Sequence, residues 1–271
     1  MLYIITGRAG SGKTTYVNGI LGELAQGGND KLLLIVPEQF SFASERAILT
    51  SFGTRDAQRI EVLSFTRLAD YVGRSLGGLA HEYADEGTKI IIMLRALEGI
   101  RDELQFYASH VESVALAREL ISLVSEFKKE RVTPQMLREA SDKTEIQTLS
   151  LKLRELALIY AAYTSLFENK YDDTDTIPDK LCDTLSANNF FAGYTIVIDA
   201  FKGFTAQEFE IIQYLCRQAE DVYITLCTDD IYGKDPSMIW DAVNETGIKA
   251  ELHIYSNSKL TEKQKRLLNR E

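Results

Sequence analysis

Short apolar runs alternate with amphipathic stretches in both terminal parts of the chain. Most of the apolar runs are continuous rather than alternating, which is typical of strands covered by helices on both faces. The predicted strands are residues 2–6, 31–36, 60–64, 195–199 and 221–227. The predicted helices among them are residues 13–25, 41–52, 65–76 and 206–217. This order predicts an α/β fold with a parallel sheet and right-handed crossovers.

The middle of the chain has a different pattern, in which long amphipathic stretches replace the strand runs. Helices are predicted at residues 88–104, 111–129 and 144–167. In the last of these, apolar side chains recur at spacings of three and four and form one face: Leu149, Leu153, Leu156, Tyr160, Tyr163 and Phe167. The simplest interpretation of that face is core packing.

These two patterns predict the domain organisation. Residues 1–81 and 190–271 are expected to form the α/β domain, and residues 82–189 an all-helical subdomain inserted into it. The charged pattern at residues 259–271 predicts a helix that continues in a longer parent chain.

A glycine-rich motif follows the first predicted strand and opens the first predicted helix. It consists of Gly7, Arg8, Ala9, Gly10, Ser11, Gly12, Lys13 and Thr14, and it matches G-x-x-x-x-G-K-[ST] without a gap. Glycines permit positive φ angles and close backbone approach, so successive N–H groups and the helix N-terminus can bind a phosphate. Lys13 is expected to reach the β and γ oxygens, and the Thr14 hydroxyl to bind Mg²⁺. The motif predicts a P-loop NTPase fold that binds ATP with Mg²⁺, and Thr15 is included among the predicted cofactor-binding residues.

A nucleotide site of this kind needs an acidic residue at the end of a neighbouring strand. Asp199 ends the predicted strand 195–199, so it is expected to orient water on Mg²⁺. Lys13 and Asp199 are therefore the predicted catalytic residues, and Thr14 and Asp199 the predicted metal ligands. Motor ATPases usually carry Glu after this Asp, whereas Ala200 follows here. Nucleotide binding is predicted, and hydrolysis by this chain is left open.

The net charge, the cysteines and the length of the apolar runs argue against several other classes of protein. The formal net charge of −10 argues against attraction of nucleic acid by the whole surface and leaves only a local basic groove open. Cys182, Cys216 and Cys227 are odd in number, well separated and without a CxxC pair, so they are expected to be buried apolar residues rather than disulfide, zinc or iron–sulfur ligands. No apolar run approaches the length of about 20 residues that spans a bilayer, so a cytoplasmic protein without a membrane partner is expected.

The glycine-rich motif occurs in many protein families, and three further segments indicate one of them. They are residues 34–45 (LIVPEQFSFASE), 62–69 (VLSFTRLA) and 198–208 (IDAFKGFTAQE). Together with the glycine-rich motif they resemble AddB, the B subunit of the bacterial ATP-dependent helicase/deoxyribonuclease, over nearly the whole chain. The resemblance implies a motor-like domain of the superfamily 1 helicase type, with the helical block as its inserted subdomain.

The resemblance also implies partners and DNA contacts. It places two segments where such helicases contact single-stranded DNA: Pro37, Glu38 and Gln39 in the first, and Ser64, Phe65 and Arg67 in the second. It implies a heterodimer with an AddA-type motor and nuclease subunit that binds single-stranded and double-stranded DNA. That assembly is an exonuclease in double-strand-break repair and recombination. The family's B subunit is far longer and ends in a nuclease domain with an iron–sulfur cluster, whose carboxylate and cysteine motifs are not matched here.

Two other functions remain open from the sequence. A small-molecule P-loop kinase needs an arginine-bearing lid, for which Arg131, Arg138 and Arg154 in the helical block are candidates. A nucleotide-binding scaffold that holds DNA or the partner subunit without hydrolysis is favoured by Ala200.

Overall fold

The computed structural model describes residues 1–76, 84–168, 174–227 and 250–254. Its strands are β1 (Leu2–Gly7), β2 (Leu32–Ile35), β3 (Ile60–Leu63), β4 (Thr195–Ile198), β5 (Asp221–Cys227) and β6 (Ala250–Ile254). Its helices are α1 (Lys13–Gln26), α2 (Ser41–Ala57), α3 (Phe65–Ser75), α4 (Glu86–Gly99), α5 (Val114–Lys129), α6 (Pro134–Lys143), α7 (Gln147–Glu168), α8 (Ile177–Ala187) and α9 (Ala206–Gln218). Short 3₁₀ turns lie at Glu38–Phe40, Arg101–Glu103, Ala108–His110 and Thr174–Thr176.

The six described strands form one parallel sheet in the order β3-β2-β4-β5-β1-β6. The predicted α/β class, the parallel sheet and all five predicted strands are confirmed. Strand β6 was not predicted, because the segment Ala250–Ile254 (AELHI) alternates in polarity and contains no continuous apolar run. The predicted C-terminal helix at residues 259–271 lies outside the described residues.

The chain divides into two compact units. The sheet unit consists of Met1–Val72, Cys182–Phe204 and Glu210–Glu271, and the helical unit of Gly73–Leu181 and Thr205–Phe209. All six strands belong to the sheet unit, and α4 to α7 belong to the helical unit.

Helix α1 covers one face of the sheet. Val17 and Leu21 on α1 are fully buried and pack in one cluster with Ile5 of β1 and Val197 of β4. Tyr223 of β5 packs against the same cluster. Tyr223 pairs with Val197, and Ile5 pairs with Thr225, two residues further along β5, so the odd-numbered residues of β1, β4 and β5 face α1.

The helical unit has its own core, formed mainly by α4, α5 and α7. Tyr160, Tyr163 and Phe167 are buried in it, as the periodicity of α7 predicts. Leu149, at the start of the predicted apolar face, is 42% exposed instead, because it lies in the first turn of a helix that begins at Gln147.

Capping residues determine where α5 and α6 begin. The Ser113 hydroxyl accepts a hydrogen bond from Leu116 N–H, so α5 begins at Val114 and not at residue 111. Thr133 caps α6 in the same way, with Pro134 in the first turn. Helices α6 and α8 were not predicted, since both are short and interrupt the longer apolar pattern.

No helix in the described ranges combines the length and the apolar character that crossing a lipid bilayer would require.

Candidate nucleotide site at the carboxyl edge of the sheet

The loop between β1 and α1 has the backbone that its glycines permit. Gly10 has a φ of 74° and Gly12 a φ of 95°, both in the left-handed region that favours glycine. Ser11 N–H donates to the Arg8 carbonyl at 3.2 Å, and Tyr16 N–H donates to the Gly12 carbonyl at 3.0 Å. The loop therefore turns tightly from the strand into the first turn of α1.

Lys13 is held inside this loop. Its side chain is buried, and Nζ donates hydrogen bonds to the Gly7 carbonyl at 2.7 Å and to the Arg8 carbonyl at 2.8 Å. The ammonium is thus fixed where β1 ends, and it contributes a positive charge to a loop rich in backbone N–H groups.

The hydroxyl side chains of the loop fit an anionic ligand. Ser11 is only 6% exposed, and its Oγ has no hydrogen-bond partner within the described residues. A buried hydroxyl without a partner is costly, and an acceptor such as a phosphate oxygen would satisfy it. The next two hydroxyl residues, Thr14 and Thr15, are exposed on the first turn of α1. A side chain at Gly10 would meet no atom within 4 Å, so the loop leaves open space there.

Asp199 follows directly after β4 at the same edge of the sheet. Its backbone N–H donates to the Ile35 carbonyl at 2.9 Å, which continues the pairing with β2 by one residue. The side chain is 4% exposed, and its Oδ1 accepts a hydrogen bond from the Thr225 hydroxyl of β5. A buried carboxylate at the carboxyl end of a central parallel strand is where a ligand-binding acid is expected.

The sheet register relates Asp199 to the glycine-rich loop. Strand β5 lies between β4 and β1, and Thr225 pairs with Ile5 of β1. Asp199 is one residue beyond the Ile198 to Ile224 pair, level with Thr225. Asp199 therefore faces α1, the helix that Lys13 begins.

The residue after Asp199 has an unusual backbone. Ala200 is exposed and has a φ of 66°, in the left-handed region, where a Cβ costs roughly 1–2 kcal/mol. Gln207, in the first turn of α9, is buried, and its amide donates to the Asp175 carbonyl at 3.1 Å and to the Asp179 carboxylate at 3.2 Å.

A second polar cluster lies at the carboxyl ends of β2 and β3. The Ser64 hydroxyl donates to the Glu38 carboxylate and accepts a bond from Arg67 N–H at 3.3 Å, which caps α3. Arg67 also forms an ion pair with Glu45 at 3.5 Å. The structure thus brings together the two segments for which the resemblance implies DNA contact.

Aromatic side chains lie close along the chain to the residues of this second cluster. Phe40 and Phe42 are 44% and 77% exposed. Phe65 is buried and packs on Phe201 and Phe204, at ring-centroid distances of 5.3 and 6.4 Å. The loop that follows Asp199 is therefore anchored to the first residue of α3.

Other candidate residues have local roles. Arg131 pairs with Asp179 and Arg154 with Asp142, each at 2.9 Å, within the helical unit. Cys182 is buried as predicted and Cys216 is partly buried, but Cys227 is exposed, so the expectation that all three cysteines are buried was wrong for Cys227. No group of three potential metal-ligating side chains occurs in the ranges described.

Sequence reasoning missed Thr225, whose only signal was a hydroxyl within an apolar strand.

Comparison with known proteins identifies the family. A family model described as "ADDB, N-terminal" matches residues 4–266. The chain belongs to the AddB N-terminal family. This confirms the resemblance drawn from the sequence motifs.

Curated AddB relatives, each named as the B subunit of an ATP-dependent helicase/deoxyribonuclease, agree with that assignment. The proteins of Clostridium tetani and Ruminiclostridium cellulolyticum are 35% and 36% identical over 84% and 85% of this chain. That of Clostridium acetobutylicum is 33% identical over 96% of it. The chain spans only 20% to 22% of the length of these three AddB proteins.

Proposed function

We propose that this chain is the ATP-binding, superfamily 1 helicase-like P-loop domain of the B subunit of a bacterial ATP-dependent helicase/deoxyribonuclease. The single observation that carries the proposal is the loop between β1 and α1, in which two left-handed glycines, a buried lysine and an unsatisfied buried hydroxyl converge. Gly7, Gly10, Ser11 and Lys13 would bind the phosphates. Thr14 and Asp199 would hold Mg²⁺, which neutralises phosphate charge when bound.

Calorimetry tests the nucleotide site directly. ATP is titrated into the 271-residue chain in Mg²⁺ buffer, and the same titration is made with Lys13→Ala and with Lys143→Ala. Lys143 is an exposed lysine in the last turn of α6 and serves as the matched control. We expect tight binding to the wild type and the control and at least about 100-fold weaker binding to Lys13→Ala, as loss of a charge-assisted contact of roughly 3 kcal/mol implies. If the folded wild-type chain bound none of ATP, GTP and ADP, the proposal would be wrong.

We further propose that the two segments joined by the Ser64 to Glu38 hydrogen bond contact single-stranded DNA, and that the chain acts with an AddA-type subunit on DNA ends. Support comes from the names of the relatives, which call them the B subunit of a helicase and deoxyribonuclease. It also comes from exposed side chains in these parts of the chain: Phe40 and Phe42, which follow Glu38, and Arg67, which follows Ser64. Aromatic faces and a cation suit a single strand. Double-strand-break processing and recombination are proposals for the longer assembly.

Ala200 favours a second candidate, a nucleotide-binding scaffold without hydrolysis. Motor ATPases activate water with an acidic residue at this position, and alanine has no such group. ATP turnover measured with and without single-stranded DNA separates the candidates. DNA-stimulated turnover supports a motor, and binding without turnover supports the scaffold. Transfer of phosphate to a metabolite would instead support a small-molecule kinase.

A further inference from the structure

Thr225 occupies a distinctive position in the sheet. It lies on β5, between the strand that leads into the glycine-rich loop and the strand that leads to Asp199. It is 3% exposed, and its hydroxyl donates to Asp199 Oδ1. Its neighbours on β5, Ile224 and Leu226, are apolar, as suits a central strand of a parallel sheet.

The hydrogen bond restricts the Asp199 carboxylate. The terminal torsion of an aspartate is broad and roughly two-fold, so the carboxylate plane is not set by the side-chain rotamer alone. A hydroxyl on the adjacent strand, fixed by the stiff β-branched side chain of threonine, selects one orientation. The donor is neutral, so it orients the carboxylate without cancelling its negative charge.

We propose that Thr225 is a positioning residue, whose hydroxyl holds the Asp199 carboxylate in the orientation that binds the divalent cation of a nucleotide complex. The proposal rests on the proposed function, because it concerns the same site. Thr225 itself touches neither nucleotide nor metal in this scheme; it acts through Asp199. Partners of this kind, which orient a metal-binding side chain, typically change metal affinity by about 10–100-fold when removed.

A purely structural role makes a different prediction. If the hydroxyl only satisfies a buried carboxylate, its loss lowers the stability of the fold and affects nucleotide binding equally with and without metal. A positioning role instead changes the dependence of nucleotide affinity on Mg²⁺. The discriminating quantity is therefore the ratio of the two affinities.

The experiment measures the affinity of the chain for AMP-PNP by calorimetry, once in Mg²⁺ and once in EDTA. Thr225→Val removes the hydroxyl while keeping nearly the same side-chain shape, and Thr225→Ser keeps the hydroxyl. Thr225→Ala also removes the hydroxyl, and it is measured in parallel in case the valine variant does not fold. Thr195→Val is the matched control, since Thr195 is equally buried on β4 at the opposite end of the strand. Unfolding midpoints of all variants are recorded.

We expect Thr225→Val and Thr225→Ala to weaken AMP-PNP binding in Mg²⁺ by about 10-fold or more, with affinity in EDTA within about twofold of the wild type. Thr225→Ser and Thr195→Val should retain the wild-type ratio. An unchanged ratio in both Thr225→Val and Thr225→Ala, with measurable wild-type binding, overturns this proposal alone. Lack of wild-type affinity for AMP-PNP in Mg²⁺ overturns the proposed function as well.

Discussion

Gly7 and Cys227 occupy paired positions at the carboxyl ends of β1 and β5. Neighbouring strands lie about 4.8 Å apart, so the Cys227 backbone is adjacent to the start of the glycine-rich loop. The Cys227 thiol is exposed. It is therefore a natural chemical reporter of the proposed nucleotide site.

We predict that iodoacetamide at about pH 8 modifies Cys227 well before Cys216. Burial raises the pKa of the Cys216 thiol to about 12, so only about one molecule in 10,000 carries the reactive thiolate there at that pH. Peptide mass spectrometry over a time course measures both rates. Faster modification of Cys216 in folded protein would contradict this prediction.

Nucleotide should slow that labelling. With ATP and Mg²⁺ present, we expect a reduced alkylation rate at Cys227, and no reduction in Lys13→Ala. Equal rates with and without nucleotide, at concentrations where calorimetry shows binding, would place the bound phosphates away from the end of β5.

Two glycines on α1 should respond differently to the same substitution. A Cβ at Gly22 would collide with the ring of Phe52, whereas a Cβ at Gly19 would meet no atom within 4 Å. We expect Gly19→Ala to stabilise the fold by about 0.5–1 kcal/mol through helix propensity. Gly22→Ala should be less stable than Gly19→Ala by about 1–3 kcal/mol because of overpacking. Urea unfolding measures both, and equal free energies of unfolding would show that Phe52 moves away without cost.

Glu155 should be a strong determinant of the helical unit. This carboxylate on α7 is 1% exposed and accepts the backbone N–H groups of Gln105, Phe106 and Tyr107 at 2.8, 2.8 and 3.0 Å. Glu155→Gln replaces one acceptor oxygen by an N–H₂ donor, which leaves a backbone donor unsatisfied. We expect a loss of about 2–4 kcal/mol in the free energy of unfolding.

The matched control for that change is Glu145→Gln, at an exposed position before α7. It should alter the free energy of unfolding by no more than about 0.5 kcal/mol. A similar small effect in Glu155→Gln would show that the three N–H groups find other acceptors.

Ala200→Gly tests the backbone next to Asp199. Glycine relieves the left-handed conformation at this position, a gain of about 1–2 kcal/mol that is partly offset by its larger entropy in the unfolded chain. We expect a net stabilisation of up to about 1 kcal/mol. Ala115→Gly, on the exposed side of α5, should instead cost about 1 kcal/mol, and thermal unfolding compares the two. Destabilisation by Ala200→Gly would mean that the methyl group makes contacts worth more than the backbone cost.

The glycine-rich motif shows how local patterns carry information. Gly10 and Gly12 adopt left-handed φ angles because the turn from strand to helix requires them. The residues that determine this turn are neighbours in the sequence, so the motif alone predicts it. The assignments of nucleotide, Mg²⁺ and catalysis to these residues remain predictions. In the helical unit, the periodicity of α7 correctly predicted that Tyr163 and Phe167 lie in the core. It did not predict that Leu149 is exposed, because that depends on where the helix begins.

The sequence by itself determined the apolar strands, the turn of the glycine-rich loop and the family, since each depends on residues close together along the chain. Tertiary structure alone decided that Thr225 holds Asp199, that Ser64 meets Glu38 and that Cys227 ends beside Gly7. These pairs are joined by strand order and register across the sheet. These strands are parallel and are joined by long crossover connections rather than by short turns, so their register depends on how whole strands pack against α1 and each other and not on neighbouring residues alone.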